Sequence, residues 1–360
     1  MPIRVLVVDD SAFMRRAISM LLEEDQDIEV VGTASDGLEA IRKAKELNPD
    51  LITLDVQMPR MDGIAALKHI MKENPVPVLI VSSLTVDGAQ ATVDALAAGA
   101  VDFIPKQISY PSLDIGKIKE ELISKSKAVA RRKTKITSKP TSNKVSIWTK
   151  ASAIGHSNAQ IVVIGISTGG PFSLQKVIPS LPESFPIPIA IVQHMPPIFT
   201  KSLAERLDSI SRVEVCEAED GMELANGKVF IAPGGLHLKF RREGTKVYVV
   251  TTTSPNDTLH RPSVDIMFSS AYETYGGKVL AAVMTGMGRD GFEGAKLIKS
   301  AGGKILAQSE DTCIVYGMPK AVVDANLADA VVPLEEMASA IVTTVSAATD
   351  SKASVGSEVS

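Results

Sequence analysis

The chain has 360 residues and two cysteines, Cys216 and Cys313, a length that suits two domains and a cysteine count that excludes a disulfide framework and fits a reducing compartment. Residues 125–150 hold nine Lys or Arg and no Asp or Glu; those nine positive charges taken from the net −4 leave −13 elsewhere, so two acidic bodies flank a basic strap and general nucleic-acid binding by either body is excluded. No apolar run approaches the ~18 residues of a membrane span, and the start MPIRVLVVDDSAF lacks a cleavable signal, so a cytoplasmic protein without membrane insertion is expected.

In chain order, β-type apolar runs are expected at Arg4–Val8, Ile28–Ala34, Leu51–Leu54, Pro77–Val81 and Val101–Ile104. Amphipathic stretches alternate with them: Ala12–Glu24, Gly37–Leu47, Gly63–Glu73, Asp87–Ala98 and Leu113–Ala130. Five strands alternating with five helices predict a flavodoxin-like (βα)5 domain over residues 1–124, its parallel sheet covered on both faces. Residues 125–157, rich in Lys, Ser, Thr and Arg, predict a basic flexible linker with the only tryptophan, Trp148, lying loosely on a surface.

Order resumes over residues 158–346. IVVIGI and PIAIVQ predict buried strands, Leu174–Ile178 and Ile198–Leu207 helices. Lys228–Ile231, Leu236–Arg241 and Lys246–Thr252 predict short strands joined by tight turns. Helix Val264–Tyr275, strand Lys278–Met284, helix Phe292–Lys299 and strand Lys304–Gln308 complete a second, doubly wound and mostly parallel α/β domain with an antiparallel hairpin. The small polar tail, residues 347–360, is expected to be disordered.

Asp9 and Asp10 follow the first strand, Asp55 the third, Ser82 the fourth and Lys106 the fifth. The carboxyl ends of parallel strands converge on the ligand crevice. Three carboxylates there repel one another unless a cation sits among them, and an all-oxygen set favours Mg²⁺. A carboxylate beside Mg²⁺ and a lysine is poised to attack a phosphoryl group. VLVVDDS, LDVQMPRMDG and DFIPK resemble the receiver domain of bacterial response regulators over residues 1 to about 122. The resemblance implies Asp55 as phospho-acceptor, Asp9 and Asp10 with Asp55 as the Mg²⁺ site, Ser82 and Phe103 as switch residues, and Lys106 as the phosphoryl contact. Gln107 departs from the family's usual proline.

The stretch Gly165-Ile-Ser167-Thr-Gly169 fits a G-x-S-x-G elbow, a sharp strand-to-helix turn that exposes a serine. Such a loop suits either a nucleophile with its oxyanion or a bound phosphate, although the Lys-Ser/Thr ending of a P-loop is missing. A serine nucleophile needs a base. His69 falls in a helix, His156 in the linker, His237 in the hairpin and His260 in a loop, whereas His194 directly follows the strand next after the serine strand. Asp290, after strand Lys278–Met284, is the candidate orienting acid, although an acid opening a helix is commonly an N-cap. The order Ser167, His194, Asp290 differs from that of α/β-hydrolases.

GISTGG, VQHMPP, FTKSLAERLD, IAPGGLH, HRPSVD, TGMGRDG and VYGMPKA resemble the catalytic domain of the protein-glutamate methylesterases of bacterial chemotaxis. The resemblance implies hydrolysis of γ-glutamyl methyl esters on chemoreceptors, release of methanol, and deamidation of specific receptor glutamines, with no cofactor for the esterase reaction. It implies a chemotaxis sensor histidine kinase as phosphodonor and a receiver that covers the active-site mouth until Asp55 is phosphorylated. Backbone amides at Thr168, by its place after the serine, and at Met287, by family likeness, are the candidate oxyanion hole. Two other readings remain: a transcriptional regulator, which needs a helix-turn-helix and a basic face, and a non-catalytic phospho-dependent scaffold.

Overall fold

The computed structural model describes residues 1–106, 115–137 and 157–346. Gln107, Trp148, His156 and the tail 347–360 lie outside the described residues. The chain divides into two compact units, the first ending at Lys144 and the second beginning at Val145.

In the first unit β1 (Ile3–Val8), β2 (Ile28–Ala34), β3 (Leu51–Asp55), β4 (Val78–Ser82) and β5 (Asp102–Pro105) alternate with five helices. These are α1 (Ala12–Glu23), α2 (Gly37–Leu47), α3 (Gly63–Glu73), α4 (Val86–Ala97) and α5 (Ile115–Thr137). All neighbouring strands are parallel, in the order β2-β1-β3-β4-β5. Every residue of β3 and β4 is buried, the consequence of helices on both faces. Helices α1 to α4 each start on Ser11, Asp36, Asp62 or Thr85, whose side-chain oxygen accepts an N–H of the first turn. Strand order reverses between β1 and β3, so their carboxyl ends open the crevice that Asp9 and Asp55 enter.

The expected linker is corrected at its near end. α5 continues to Thr137, through residues read as flexible. No glycine or proline occurs between Gly116 and Pro140, and Lys and Arg are good helix formers. Ser126 and Val129 are buried, and Lys125 lies 3.4 Å from Asp102 and donates to the Phe103 carbonyl at 2.8 Å. Lys125, at the start of the basic segment, is therefore anchored to β5 where composition alone suggested solvent.

The second unit is a seven-stranded sheet, wholly parallel, in the order β14-β13-β12-β6-β7-β9-β8. Its elements run β6 (Ile161–Ile166), α6 (Gly170–Val177), β7 (Ile189–Gln193), α7 (Phe199–Ile210), β8 (Glu214–Glu217), β9 (Lys228–Ile231), β10 (His237–Glu243) and β11 (Lys246–Thr252). They continue with α8 (Val264–Tyr275), β12 (Val279–Val283), α9 (Phe292–Ser300), β13 (Lys304–Gln308), α10 (Met318–Asp324), β14 (Ala330–Val332) and α11 (Leu334–Ser346). Strands β10 and β11 form a separate antiparallel pair.

Two sequence expectations are corrected here, and four elements are added. α6 begins at Gly170, not Leu174, because left-handed Gly169 and the early Pro171 open the helix directly behind Ser167. β9 leaves the hairpin and joins the main sheet between β7 and β8, since its buried Val229, Phe230 and Ile231 need cover on both faces. β8, α10, β14 and α11 carried no expectation; EVCE and AVV are too short and too mixed to show a period. Strand order reverses between β6 and β12, so the loops after these two strands face one crevice.

Candidate active site

In the second unit, Ser167 is the residue after β6. Its N–H donates to the Thr285 carbonyl beyond β12, at 2.9 Å. Its carbonyl accepts the Gly170 N–H at 2.8 Å and the Gln193 Nε2 at 3.0 Å. Gly169 has φ 76°, in the left-handed region, and a Cβ there would fall 2.2 Å from Ile314 Cγ1. Gly286, on the far side, lets the β12 loop approach so closely that a Cβ would lie 2.8 Å from Ser167 Cβ. The serine is thus wedged between the β12 loop and the positive N-terminus of α6.

Ser167, His194 and Asp290 come together. His194 follows β7, the neighbour of β6, and its Nδ1 lies 3.1 Å from Ser167 Oγ. Its Nε2 lies 2.8 Å from Asp290 Oδ2. Asp290 Oδ2 also accepts the Val264 N–H at 2.7 Å, and Oδ1 accepts the Ser263 hydroxyl and the Asp265 N–H, each at 2.9 Å. Burial pushes the Asp290 carboxyl upward, but the bond and charge of His194 together with these amides outweigh it and hold the group well below the usual carboxylate range. An ionised acceptor at Nε2 fixes the ring proton there and leaves the Nδ1 lone pair facing Ser167. The imidazole is used in the opposite sense to the serine-protease template, where Nε2 faces the hydroxyl.

The Thr168 and Met287 N–H groups donate no hydrogen bond among the described residues. Both flank Ser167, the first by sequence and the second through the Gly286 approach. Sequence reading did not assign Gln193, whose Nε2 bridges the Ser167 and His194 carbonyls at 3.0 and 3.2 Å. Nor did it assign Thr285, fully buried, whose hydroxyl donates to the Thr168 carbonyl at 2.9 Å. VQH, with a polar residue closing an apolar strand beside the histidine, was the available signal for Gln193.

In the first unit, Lys106 Nζ sits between two carboxylates, 2.8 Å from Asp9 and 2.7 Å from Asp55. Burial pushes the Asp55 carboxyl up and the Asp9 charge adds to this, against the pull of Lys106. Burial alone would lower the ammonium, but its two carboxylate partners raise it. Ser82 is buried with its hydroxyl on the Gly88 carbonyl at 3.0 Å, and Phe103 is buried with Lys125 5.5 Å from its ring centre.

Oxygens of Asp9, Asp10 and Asp55 lie within 4.8 Å of one another, near the ~4 Å that separates opposite ligands on an ion bound at ~2.1 Å. Asp9 Oδ1 accepts the Ser11 N–H at 3.0 Å, whereas its buried Oδ2 has the Lys106 charge alongside but no hydrogen-bond donor aligned on it. This acidic cluster fits a small hard cation.

Residues 5–115 match the response regulator receiver domain, and residues 162–341 match the CheB methylesterase family. Receiver and hydrolase-type body in one chain define a response regulator with an enzymatic output. The chain belongs to the CheB methylesterase family. It is 47% identical over 366 residues to protein-glutamate methylesterase/protein-glutamine glutaminase 1 of Oleidesulfovibrio alaskensis, covering 95% of this chain and 99% of that one. It is 48% identical to the corresponding protein of Thermotoga maritima, over 92% of this chain and 95% of that one. The crystal structure of the Thermotoga maritima CheB methylesterase catalytic domain superposes with a TM-score of 0.51, covering 52% of this chain and 99% of that chain at 48% identity.

Proposed function

We propose that this chain is a phosphorylation-regulated serine hydrolase of chemotaxis, which demethylates glutamate γ-methyl esters on chemoreceptors and deamidates specific receptor glutamines. The observation that carries this is the continuous contact from Ser167 Oγ to His194 Nδ1 and from His194 Nε2 to Asp290. The names of the relatives supply the substrate class.

Ser167 Oγ attacks the ester carbonyl while its proton passes to Nδ1 of His194. Asp290 stabilises the imidazolium through Nε2 without taking its proton. The Thr168 and Met287 amides bind the oxyanion, each such donor contributing ~3 kcal/mol. His194 returns the proton to the departing methoxide, giving methanol, and water then attacks the acyl-enzyme by the same route. With glutamine as substrate the leaving group is ammonia.

Asp55 is the phospho-acceptor, with a chemotaxis sensor histidine kinase as donor. Asp9, Asp10 and Asp55 would hold Mg²⁺, which when bound neutralises charge on the phosphoryl oxygens. Lys106 supplies a second positive charge, and Ser82 and Phe103 respond to the phosphoryl group. The enzyme works in the cytoplasm, on the receptors' cytoplasmic helices. Among the described residues no helix is long and apolar enough to cross a membrane.

The test is methanol release from methylated receptor by the full chain. Wild type releases methanol and does so faster with a small phosphodonor. Ser167→Ala abolishes release, and Asp55→Asn keeps the basal rate without the stimulation. Wild-type protein that releases no methanol under either condition overturns the reading in favour of a scaffold.

A further inference from the structure

Two in-plane contacts hold His194, one through Nδ1 and one through Nε2. Both contacts lie at the ring's edge, and neither bears on its faces, so the tilt of the imidazole plane is left to other groups to restrain. A third contact meets that need. His260 lies face to face with His194, ring centres 4.1 Å apart and planes 21° from parallel. It covers one face of an imidazole whose side chain is 9% exposed.

The loop that carries His260 is itself held. His237 is completely buried beneath it and accepts the Ser263 N–H on Nδ1 at 3.2 Å. Its Nε2 lies 3.1 Å from the Pro255 carbonyl and 3.2 Å from Thr258 Oγ1. One buried ring therefore staples the loop on both sides of His260. Arg261, next to His260, donates to Asn256 Oδ1 at 3.1 Å and its carbonyl accepts the Gly235 N–H at 3.1 Å. The same loop ends at Ser263, whose hydroxyl holds Asp290. A single stapled segment thus sets both the edge partner of His194 and the cover on its face.

We infer that His260 is a positioning residue for the esterase reaction, its ring fixing the plane of His194 by stacking. The inference rests on the reading of Ser167, His194 and Asp290 as the catalytic set. Stacked aromatic rings at this spacing attract each other, and small misplacements of a base carry large penalties in rate.

The experiment uses the full chain and two readouts: steady-state methanol release, and the rate at which a fluorophosphonate labels Ser167. His260→Ala lowers kcat about tenfold with KM within about twofold, and slows labelling by a similar factor. His260→Phe, which keeps a flat ring, restores both rates to within about threefold. His260→Leu, which fills the volume without a flat face, stays slow. Should the alanine variant fail to fold, the phenylalanine and leucine variants carry the comparison alone. Wild-type rates in His260→Ala, or equal rates in the Phe and Leu variants, overturn the inference. Failure of the probe to label wild-type Ser167 instead overturns the hydrolase reading beneath it.

Discussion

Asp290 and Asp265 cap each other's helices. Asp290, just ahead of α9, accepts the Val264 and Asp265 N–H groups that open α8. Asp265, the second residue of α8, accepts the Gly294 N–H in the first turn of α9 at 2.8 Å. Two carboxylates thereby lie between two positive helix ends, and each is aimed by the other's helix. The carboxylate that orients His194 is held by a lock between α8 and α9, not by a flexible loop.

This arrangement gives Asp265 a pH signature. Burial, reinforced by the charge of Asp290 against the pull of backbone amides, pushes its carboxyl up to about 6. Between the ordinary carboxylate range and pH ~6 the folded state keeps a proton that the unfolded chain has lost, so this group's contribution to stability falls as pH rises. Asp265→Asn removes that slope. The stability difference between variant and wild type, measured by calorimetry from pH 4 to 7, shifts in favour of the variant as pH rises. A difference independent of pH sinks this account of Asp265.

Asp290→Asn replaces one acceptor oxygen with a donor facing groups that already donate. The ring proton of His194 loses its acceptor at Nε2 and the tautomer presented to Ser167 is wrong. kcat falls roughly 10³–10⁴-fold while the fold, followed by circular dichroism, is retained. A loss of less than tenfold would show that Asp290 only caps α8.

Gly169→Ala adds a methyl group at φ 76°, aimed 2.2 Å from Ile314 Cγ1. The combined backbone and overpacking cost is about 2–4 kcal/mol. The urea midpoint of the second unit drops accordingly, and activity falls because the strain acts on the loop that presents Ser167. An unchanged midpoint would mean that Ile314 moves aside freely.

Chelation separates the two units chemically. With EDTA present, a small phosphodonor no longer stimulates methanol release, because Lys106 alone leaves the charge on the carboxylate cluster of Asp9, Asp10 and Asp55 only partly neutralised. The basal rate is expected to stay unchanged if Ser167, His194 and Asp290 alone carry the hydrolysis. Persistent stimulation in EDTA removes the metal from the mechanism; a fallen basal rate contradicts a metal-free hydrolase.

The readable parts of this chain were those governed by local pattern. Buried parallel strands are continuous apolar runs, so β1, β3, β4, β6, β7 and β12 stood out, and with them the residues that follow each strand. Ser167, His194, Asp290, Asp55 and Lys106 were singled out in this way. α5 was misjudged because Lys125 and its neighbours looked like solvated linker residues, while Lys125 pairs with Asp102 across the fold. β9 was misplaced because nothing in four residues distinguishes a hairpin strand from a sheet strand.

By itself the sequence determined which side chains stand at strand ends, because side-chain period and burial follow from composition over a few residues. Only the tertiary structure decided which ring nitrogen of His194 meets Ser167, that His260 covers its face, and that Asp265 and Asp290 share two helix ends. Those relations join residues from 25 to 96 positions apart, the nearest being Asp265 with Asp290 and the farthest His194 with Asp290. Their geometry is set by how the sheet orders its strands and how loops pack across the switch point, and no local pattern encodes that.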